Sequence, residues 1–211
     1  PVAYILGQQG FWNLDLEVAP HTLIPRPDTE LLVETALALL PATPAKVLDL
    51  GTGSGAIALA LASERAAWHV TAVDRVLEAV ALAERNRQRL QLDNVNVFTS
   101  HWFSALDDQR FDLIISNPPY IAAGDVHLAQ GDVRFEPESA LVAGADGLDD
   151  IRQIITASAQ HLNAGGWLML EHGYDQAAAV RQLLQDAGFA EVESRTDLGG
   201  HERITLGRLP C

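Results

Sequence analysis

Cysteine is almost missing: the only one, Cys211, is the final residue of 211. No internal disulfide can form, which suits a reducing, cytoplasmic setting. Long apolar runs are missing as well. Stretches such as Ala56 to Ala62 fall far short of the roughly 20 residues that cross a bilayer, so no membrane partner is expected. No basic segment followed by an apolar core opens the chain, and no secretory leader is expected. Basic residues are scarce, 14 against 28 acidic ones, for a net charge of −14. Nucleic-acid binders draw most of their affinity from Lys and Arg on phosphates, so direct DNA binding is not expected. The seven histidines show no metal-ligand spacing, and no metal site is expected. Ser54 and Ser116 lack a nucleophile-elbow setting, which leaves a hydrolase triad unsupported. Internal repeats and low-complexity linkers are absent.

What remains is a chain with 48% hydrophobic and 20% charged residues, enough for one well-buried core. Short apolar runs predict strands at Lys46–Leu50, His69–Val73, Val95–Phe98, Phe111–Ser116, Gly166–Glu171, Ala190–Arg195 and Arg203–Gly207. Helical periodicity predicts helices at Ala56–Arg65, Val76–Leu90, Leu148–Leu162 and Asp175–Ala187, the last closed by Gly188. Alternating strands and helices imply an α/β fold with a mostly parallel seven-stranded sheet, ending in an antiparallel hairpin. Residues 1–45 read as a lead-in to a catalytic domain at 46–211. Phe11–Leu16 and the stretch to Ile24 predict a β-hairpin, Pro25-Arg26-Pro27 a stiff turn, and Asp28 the N-cap of a helix to Leu40.

Asp49-Leu50-Gly51-Thr52-Gly53-Ser54-Gly55 ends a strand and opens a helix, and its glycines let the backbone approach a ligand closely. Asp74 closes the second strand, where a carboxylate accepts from both ribose hydroxyls of a nucleotide. The bland alternative is a tight turn followed by a capping Asp. The loop does not separate a dinucleotide from a methyl donor: Gly51, Gly53 and Ala56 satisfy the dinucleotide fingerprint, whereas Asp49 and Gly55 lean toward the G-x-G-x-G loop of methyltransferases.

Asn117-Pro118-Pro119-Tyr120 follows the strand Phe111–Ser116, at the sheet edge where open α/β folds bind ligands. A Pro-Pro turn is common punctuation, but an Asn before it and an aromatic after it suit a particular chemistry. An amide nitrogen is a poor nucleophile, because its lone pair is delocalised into the carbonyl. To attack a methyl group in line it must be aimed, with both hydrogens held by acceptors. The Asn117 side-chain oxygen and the Pro118 carbonyl supply two, and proline rigidity fixes them. Tyr120 offers a flat face to a planar substrate group and a cationic donor.

The whole chain resembles the HemK-type release-factor glutamine methyltransferases. The matching stretches are Leu23–Glu30, Asp49–Gly55, Trp102–Leu106, Ser116–Tyr120, Gly131–Pro137, Leu170–Gly173 and Glu202–Arg208. Asn-Pro-Pro-Tyr alone is shared with adenine-N6 DNA methyltransferases; Pro25-Arg26-Pro27 and Arg134-Phe135-Glu136-Pro137 are far more restrictive. The resemblance implies a Rossmann-like class I fold and S-adenosylmethionine as cofactor, with S-adenosylhomocysteine as product. It implies methylation of the glutamine amide nitrogen, N5, in the Gly-Gly-Gln motif of class 1 peptide chain release factors. Gly51, Thr52, Gly53, Ser54, Gly55, Asp74, Trp102 and Asn117 are implied to contact the cofactor. Asn117, Pro118, Pro119, Tyr120 and Arg134 are implied to bind substrate, with Asn117, Pro118 and Tyr120 catalytic.

Trp102 reads equally as a core aromatic, and Arg134 as a partner of Glu136 or Glu138. His172 is expected to be structural. Two departures stand out: His101 replaces the family's usual acidic residue before the Trp, and Gly10 replaces a Glu before the first hairpin's aromatic. The family's N-terminal helical domain is expected to be absent from this chain, and a monomer is expected. The runner-up is an adenine-N6 nucleic-acid methyltransferase, which would call for a Lys- and Arg-rich recognition segment that is not visible. A nicotinamide-dependent oxidoreductase and a non-catalytic module that kept a cofactor pocket are the other readings, the last disfavoured by the intact Asn-Pro-Pro-Tyr.

Overall fold

The apolar runs assemble into one seven-stranded sheet in a computed structural model that describes all residues, 1–211. Its strands are β3 (Ala45–Leu50), β4 (Trp68–Asp74), β5 (Val95–Thr99), β6 (Phe111–Ser116), β7 (Leu162–Glu171), β8 (Ala190–Thr196) and β9 (Glu202–Arg208). They lie in the order β5-β4-β3-β6-β7-β9-β8. The first five are parallel; β9 runs antiparallel between β7 and β8, as the helix-free link between the last two strands implied. Alternate residues of β3 and β6 feed opposite faces, which is why both strands read as continuous apolar runs. Val47, Leu113 and Ile115 pack on one side with α2 (Glu30–Leu39) and α3 (Ala56–Glu64). Leu48, Leu50 and Ile114 pack on the other with α5 (Asp149–Ser158) and α6 (Ala177–Asp186). No helix is long and apolar enough to cross a membrane.

The sheet was legible; its approaches were less so. The lead-in opens with an unexpected one-turn helix, α1 (Val2–Leu6). The hairpin is β1 (Gln8–Phe11) with β2 (Leu14–Glu17), and its turn falls inside the predicted first strand. Trp12 takes a φ of +56° there. That conformation is rare for a bulky residue, and two carboxylates hold it: its N–H donates to Glu30 and its indole Nε1 to Glu64, both at 2.8 Å. Asp28 is not an N-cap. Pro27–Thr29 forms a 3-10 turn that runs straight into α2. β7 starts at Leu162 rather than Gly166, because the preceding helix ends at Ser158 and the chain turns once through Ala159–His161. The region after Tyr120 holds three unexpected 3-10 turns, at Val126–Ala129, Gly131–Phe135 and Glu138–Ala140.

One fully buried side chain ties the hairpin to the sheet's glycine loop. Asn86, on α4 (Leu77–Arg89), accepts from the Glu17 N–H at 2.8 Å. Its amide nitrogen donates to the Glu17 carbonyl at 3.0 Å and the Ser54 carbonyl at 2.9 Å. Replacing Asn86 with Ala leaves three backbone groups without that partner. Unsatisfied buried groups cost about 1–3 kcal/mol each when water cannot reach them. Asn86→Ala is therefore expected to lower unfolding stability by roughly 2–4 kcal/mol in urea titration; an unchanged midpoint would show that the hairpin is held by its other contacts without Asn86.

Candidate functional site

Chain direction reverses across β3. The segments after it build outward through β4 and β5, then the chain returns to lay β6 on the opposite side. Such a reversal opens a crevice at the carboxyl ends of the two central strands. Leu50 of β3 stands opposite Ser116 of β6, and the Ser116 hydroxyl donates to the Leu50 carbonyl at 2.7 Å. Gly51 and Asn117, the next residue on each strand, therefore start from adjacent points on the sheet edge.

The glycine loop turns sharply, with φ of +69° at Gly51 and +90° at Gly55. A side chain at Gly51 would meet the Trp102 ring at 3.3 Å, and one at Gly55 would meet Leu59 at 3.0 Å. Asp74 holds the loop: its carboxylate accepts from the Gly53 N–H at 2.9 Å and the Val76 N–H at 3.0 Å. A carboxylate has about four lone-pair positions, so about two remain for a ligand. Asp49 braces the loop from inside the sheet, accepting from the Thr52 hydroxyl at 2.8 Å and the Ala58 N–H at 3.3 Å. Its other oxygen is buried without a partner. Burial pushes the Asp49 carboxyl up to about 7, with the Thr52 and Ala58 hydrogen bonds opposing and the Asp74 charge adding to it.

The crevice encloses about 980 Å³, open mouth included, a volume suited to a small-molecule cofactor. Of the residues expected in the site, Gly51, Thr52, Gly53, Ser54, Asp74, Trp102, Asn117, Pro118 and Pro119 line it. Gly55 sits behind, at the entry to α3. Tyr120 and Arg134 are not among the lining residues. The Tyr120 ring, partly buried, packs against the apolar core and its hydroxyl donates to Glu171 at 3.3 Å. Burial, reinforced by the neighbouring Glu171 charge, raises the Tyr120 phenol well above its ordinary range. Arg134 is exposed and lies over the Phe135 ring at 4.7 Å, paired with neither Glu136 nor Glu138. Glu136 is bound instead by Arg26 and by the Ile24 N–H at 2.9 Å, which ties the rim loop to the lead-in.

Several lining residues were not singled out from sequence: Arg26 and Thr29 of the lead-in, Ser100, and Asp150 at the start of α5. Glu171 was missed as well. It is a fully enclosed carboxyl at the end of β7, accepting from the Thr29 hydroxyl at 2.7 Å, and burial pushes it up to about 7 against the hydrogen bonds from Thr29 and Tyr120. A local signal for it existed: an acidic residue ending an apolar strand, Leu168-Met169-Leu170-Glu171, at the ligand-binding edge of a parallel sheet. His172 next to it is structural. Its Nδ1 meets the Gly173 carbonyl at 2.8 Å, so the neutral ring donates there and accepts the Thr205 hydroxyl at Nε2, 2.7 Å away. Burial lowers its pKa, against the hydrogen bonds to the Gly173 and Ile204 backbone.

A family profile described as "Methyltransferase small domain" matches residues 27–135. A protein of Pseudomonas aeruginosa called release factor glutamine methyltransferase is 74% identical over the whole of this chain and 76% of its own length. A protein of the same description from Escherichia coli K12 is 57% identical, covering 99% of this chain and 75% of its own length. Among solved structures, a methyltransferase from Pyrococcus furiosus superposes with a TM-score of 0.72 at 20% identity, over 100% of this chain and 93% of that one.

The buried Asp49 carboxyl generates a pH dependence of definite sign. Because its folded pKa lies above the unfolded 3.8, the folded state keeps a proton that the unfolded state has released. Stability from this group is therefore highest in acid, falls as pH rises from about 4 to about 7, and is level beyond. Glu171 behaves alike and His172 oppositely, so a difference measurement isolates Asp49. The stability of Asp49→Asn relative to wild type is expected to rise by on the order of a few kcal/mol across pH 4–8, at about 1.4 kcal/mol per pKa unit. A flat difference in urea titrations across that range would show that Asp49 pays no penalty for ionising.

Proposed function

This chain belongs to the release factor glutamine methyltransferases, and on that premise we infer that it transfers a methyl group from S-adenosylmethionine to the side-chain amide nitrogen, N5, of the glutamine in the Gly-Gly-Gln motif of a class 1 peptide chain release factor. The observation that carries the reading is the shared edge of β3 and β6. It brings a glycine loop with an acid behind it and an Asn-Pro-Pro segment into one crevice.

The crevice fits the cofactor. Gly51 leaves room against the Trp102 ring that any side chain would fill, and nothing lies within 4 Å of where a side chain at Gly53 would start. Asp74 keeps acceptor capacity beyond its two backbone hydrogen bonds. Gly51 to Ser54, Asp74 and Trp102 would hold S-adenosylmethionine, with Gly55 shaping the loop. When bound, it supplies a methyl group made electrophilic by a sulfonium. The chain's own part is to hold and aim the nitrogen. The Asn117 side-chain oxygen and the Pro118 carbonyl accept the two amide hydrogens, and proline at 118 and 119 fixes the backbone that carries them. Orientation of this kind accounts for several kcal/mol of barrier reduction, about 7–11 in well-ordered intramolecular cases. No carboxylate base is needed beforehand, since the nitrogen becomes acidic only as the methyl arrives. Tyr120 braces the segment through Glu171. Arg134, exposed on the rim loop, is assigned to the surface of the protein substrate rather than to the reacting amide.

Acidic residues outnumber basic ones twofold, which supports a protein substrate over DNA. Extruding a base costs a few kcal/mol and needs phosphate contacts to hold the strand. A glutamine on an exposed loop needs only a cleft, and the glycines before it carry no side chains to clash. A monomer in the cytoplasm completes the proposal.

Incubation with labelled cofactor and purified release factor, followed by mass-spectrometric site mapping, tests it. Label is expected on that glutamine, none when the glutamine is replaced, and none on duplex or single-stranded DNA at matched concentration. Asn117→Ala is expected to lower single-turnover rate roughly a hundred- to a thousandfold, the usual consequence of losing a preorganised polar contact. Transfer to adenine with the release factor unlabelled would overturn the reading.

A further inference from the structure

An asparagine can hold an amide hydrogen only with its oxygen, yet its own oxygen and nitrogen are nearly the same size. Some neighbour must decide which one faces the crevice. Thr29 is placed to decide. It is 4% exposed, at the junction of the Pro27–Thr29 turn and α2, and it lines the crevice. Its hydroxyl oxygen lies 2.7 Å from Glu171 Oε1 and 3.4 Å from Asn117 Nδ2. A hydroxyl has one proton to give. An ionised carboxylate can only accept, so that proton points at Glu171 and a lone pair is left toward Asn117. The neutral carboxyl can do the same, placing its proton on Oε2 toward the Tyr120 oxygen and keeping Oε1 as an acceptor. Against that lone pair, the Asn117 amide nitrogen is attracted and the amide oxygen repelled.

We propose that Thr29 is a positioning residue: backed by Glu171, it sets the amide orientation of Asn117 so that the oxygen, not the nitrogen, is presented to the substrate. The relay runs from the end of β7, through the lead-in, to the residue after β6. Its members lie 142 and 88 positions apart in sequence. Neither Thr29 nor Glu171 needs to touch the reacting atoms. Glu171 is set for its part by the β-ladder, where it stands opposite Ile204 of β9.

The inference rests on the role of Asn117 proposed above, and its test separates the two. Thr29→Val keeps the shape of the side chain and removes the hydroxyl; Thr29→Ser keeps the hydroxyl. With purified release factor, Thr29→Val is expected to lower kcat roughly tenfold to a hundredfold, the scale of a small misplacement at a reacting centre. KM for the release factor and calorimetric affinity for S-adenosylmethionine should stay within about twofold, the melting temperature should fall by a few degrees because Glu171 Oε1 loses a buried donor, and Thr29→Ser should restore most of the rate; a contact made by Thr29 itself would move affinity along with kcat. In an Asn117→Ala background, Thr29→Val should cost nothing further, because the group it orients is gone. Wild-type kcat in Thr29→Val, with Asn117→Ala inactive, would overturn the positioning role alone. An additive loss in the double variant would overturn it too, by showing that Thr29 acts without Asn117. Wild-type rate in Asn117→Ala would overturn the reading beneath both.

Discussion

The parallel ladder between β3 and β6 is the interaction on which the site depends. Its register sets Leu50 against Ser116 and, through them, the glycine loop against a rigid proline pair. A one-residue slip would turn each strand's buried set to the wrong face. The apolar layers on both sides of the sheet therefore specify the register, and with it the spacing of the two loops. Core packing and site geometry are one constraint here, enforced by Val47, Leu48, Leu113 and Ile114, none of which touches the crevice.

Two buried carboxyls flank this ladder, Asp49 within β3 and Glu171 at the end of β7. Each is enclosed at a cost, since removing a carboxylate from water is unfavourable. Each also supplies an acceptor to a segment that has left the sheet: Asp49 to Thr52 in the glycine loop, Glu171 to Thr29 in the lead-in. The carboxyls thereby extend the order of the strands into chain that lacks a ladder of its own. Stability is lower than an apolar pair would give, and the loops are better fixed.

The same contrast explains what the sequence disclosed. Strand identity, the antiparallel end of the sheet, the glycine loop, Asp74 and Asn117-Pro118-Pro119 were all legible, because apolar runs and loop chemistry are local signals. The start of α2 was not. Asp28 has the composition of a cap, but the chain turns through Pro27–Thr29, and the Thr29 hydroxyl is committed to a residue 142 positions away. The hairpin turn was misplaced because Trp12, a strand-forming residue by propensity, is held at positive φ by Glu30 and Glu64. Tyr120 was expected to face the substrate. Motif composition could not show that its ring packs against the core and that its hydroxyl meets Glu171. The hairpin turn and the start of α2 depend on side-chain partnerships that no window of sequence contains.

Core packing and hydrogen bonds, as well as the backbone, join the lead-in to the rest of the chain. Phe11 and Leu16 belong to the main apolar core, and Glu136 clasps Arg26 and the Ile24 N–H. Arg26 and Thr29 are walls of that crevice. The link from Pro41 to Pro44, by contrast, is exposed. Covalent continuity there matters less than the surface it joins: a chain severed within that link would be held as one particle by Phe11 and Leu16 in the core and by the bonds of Arg26 and Thr29 to Glu136 and Glu171.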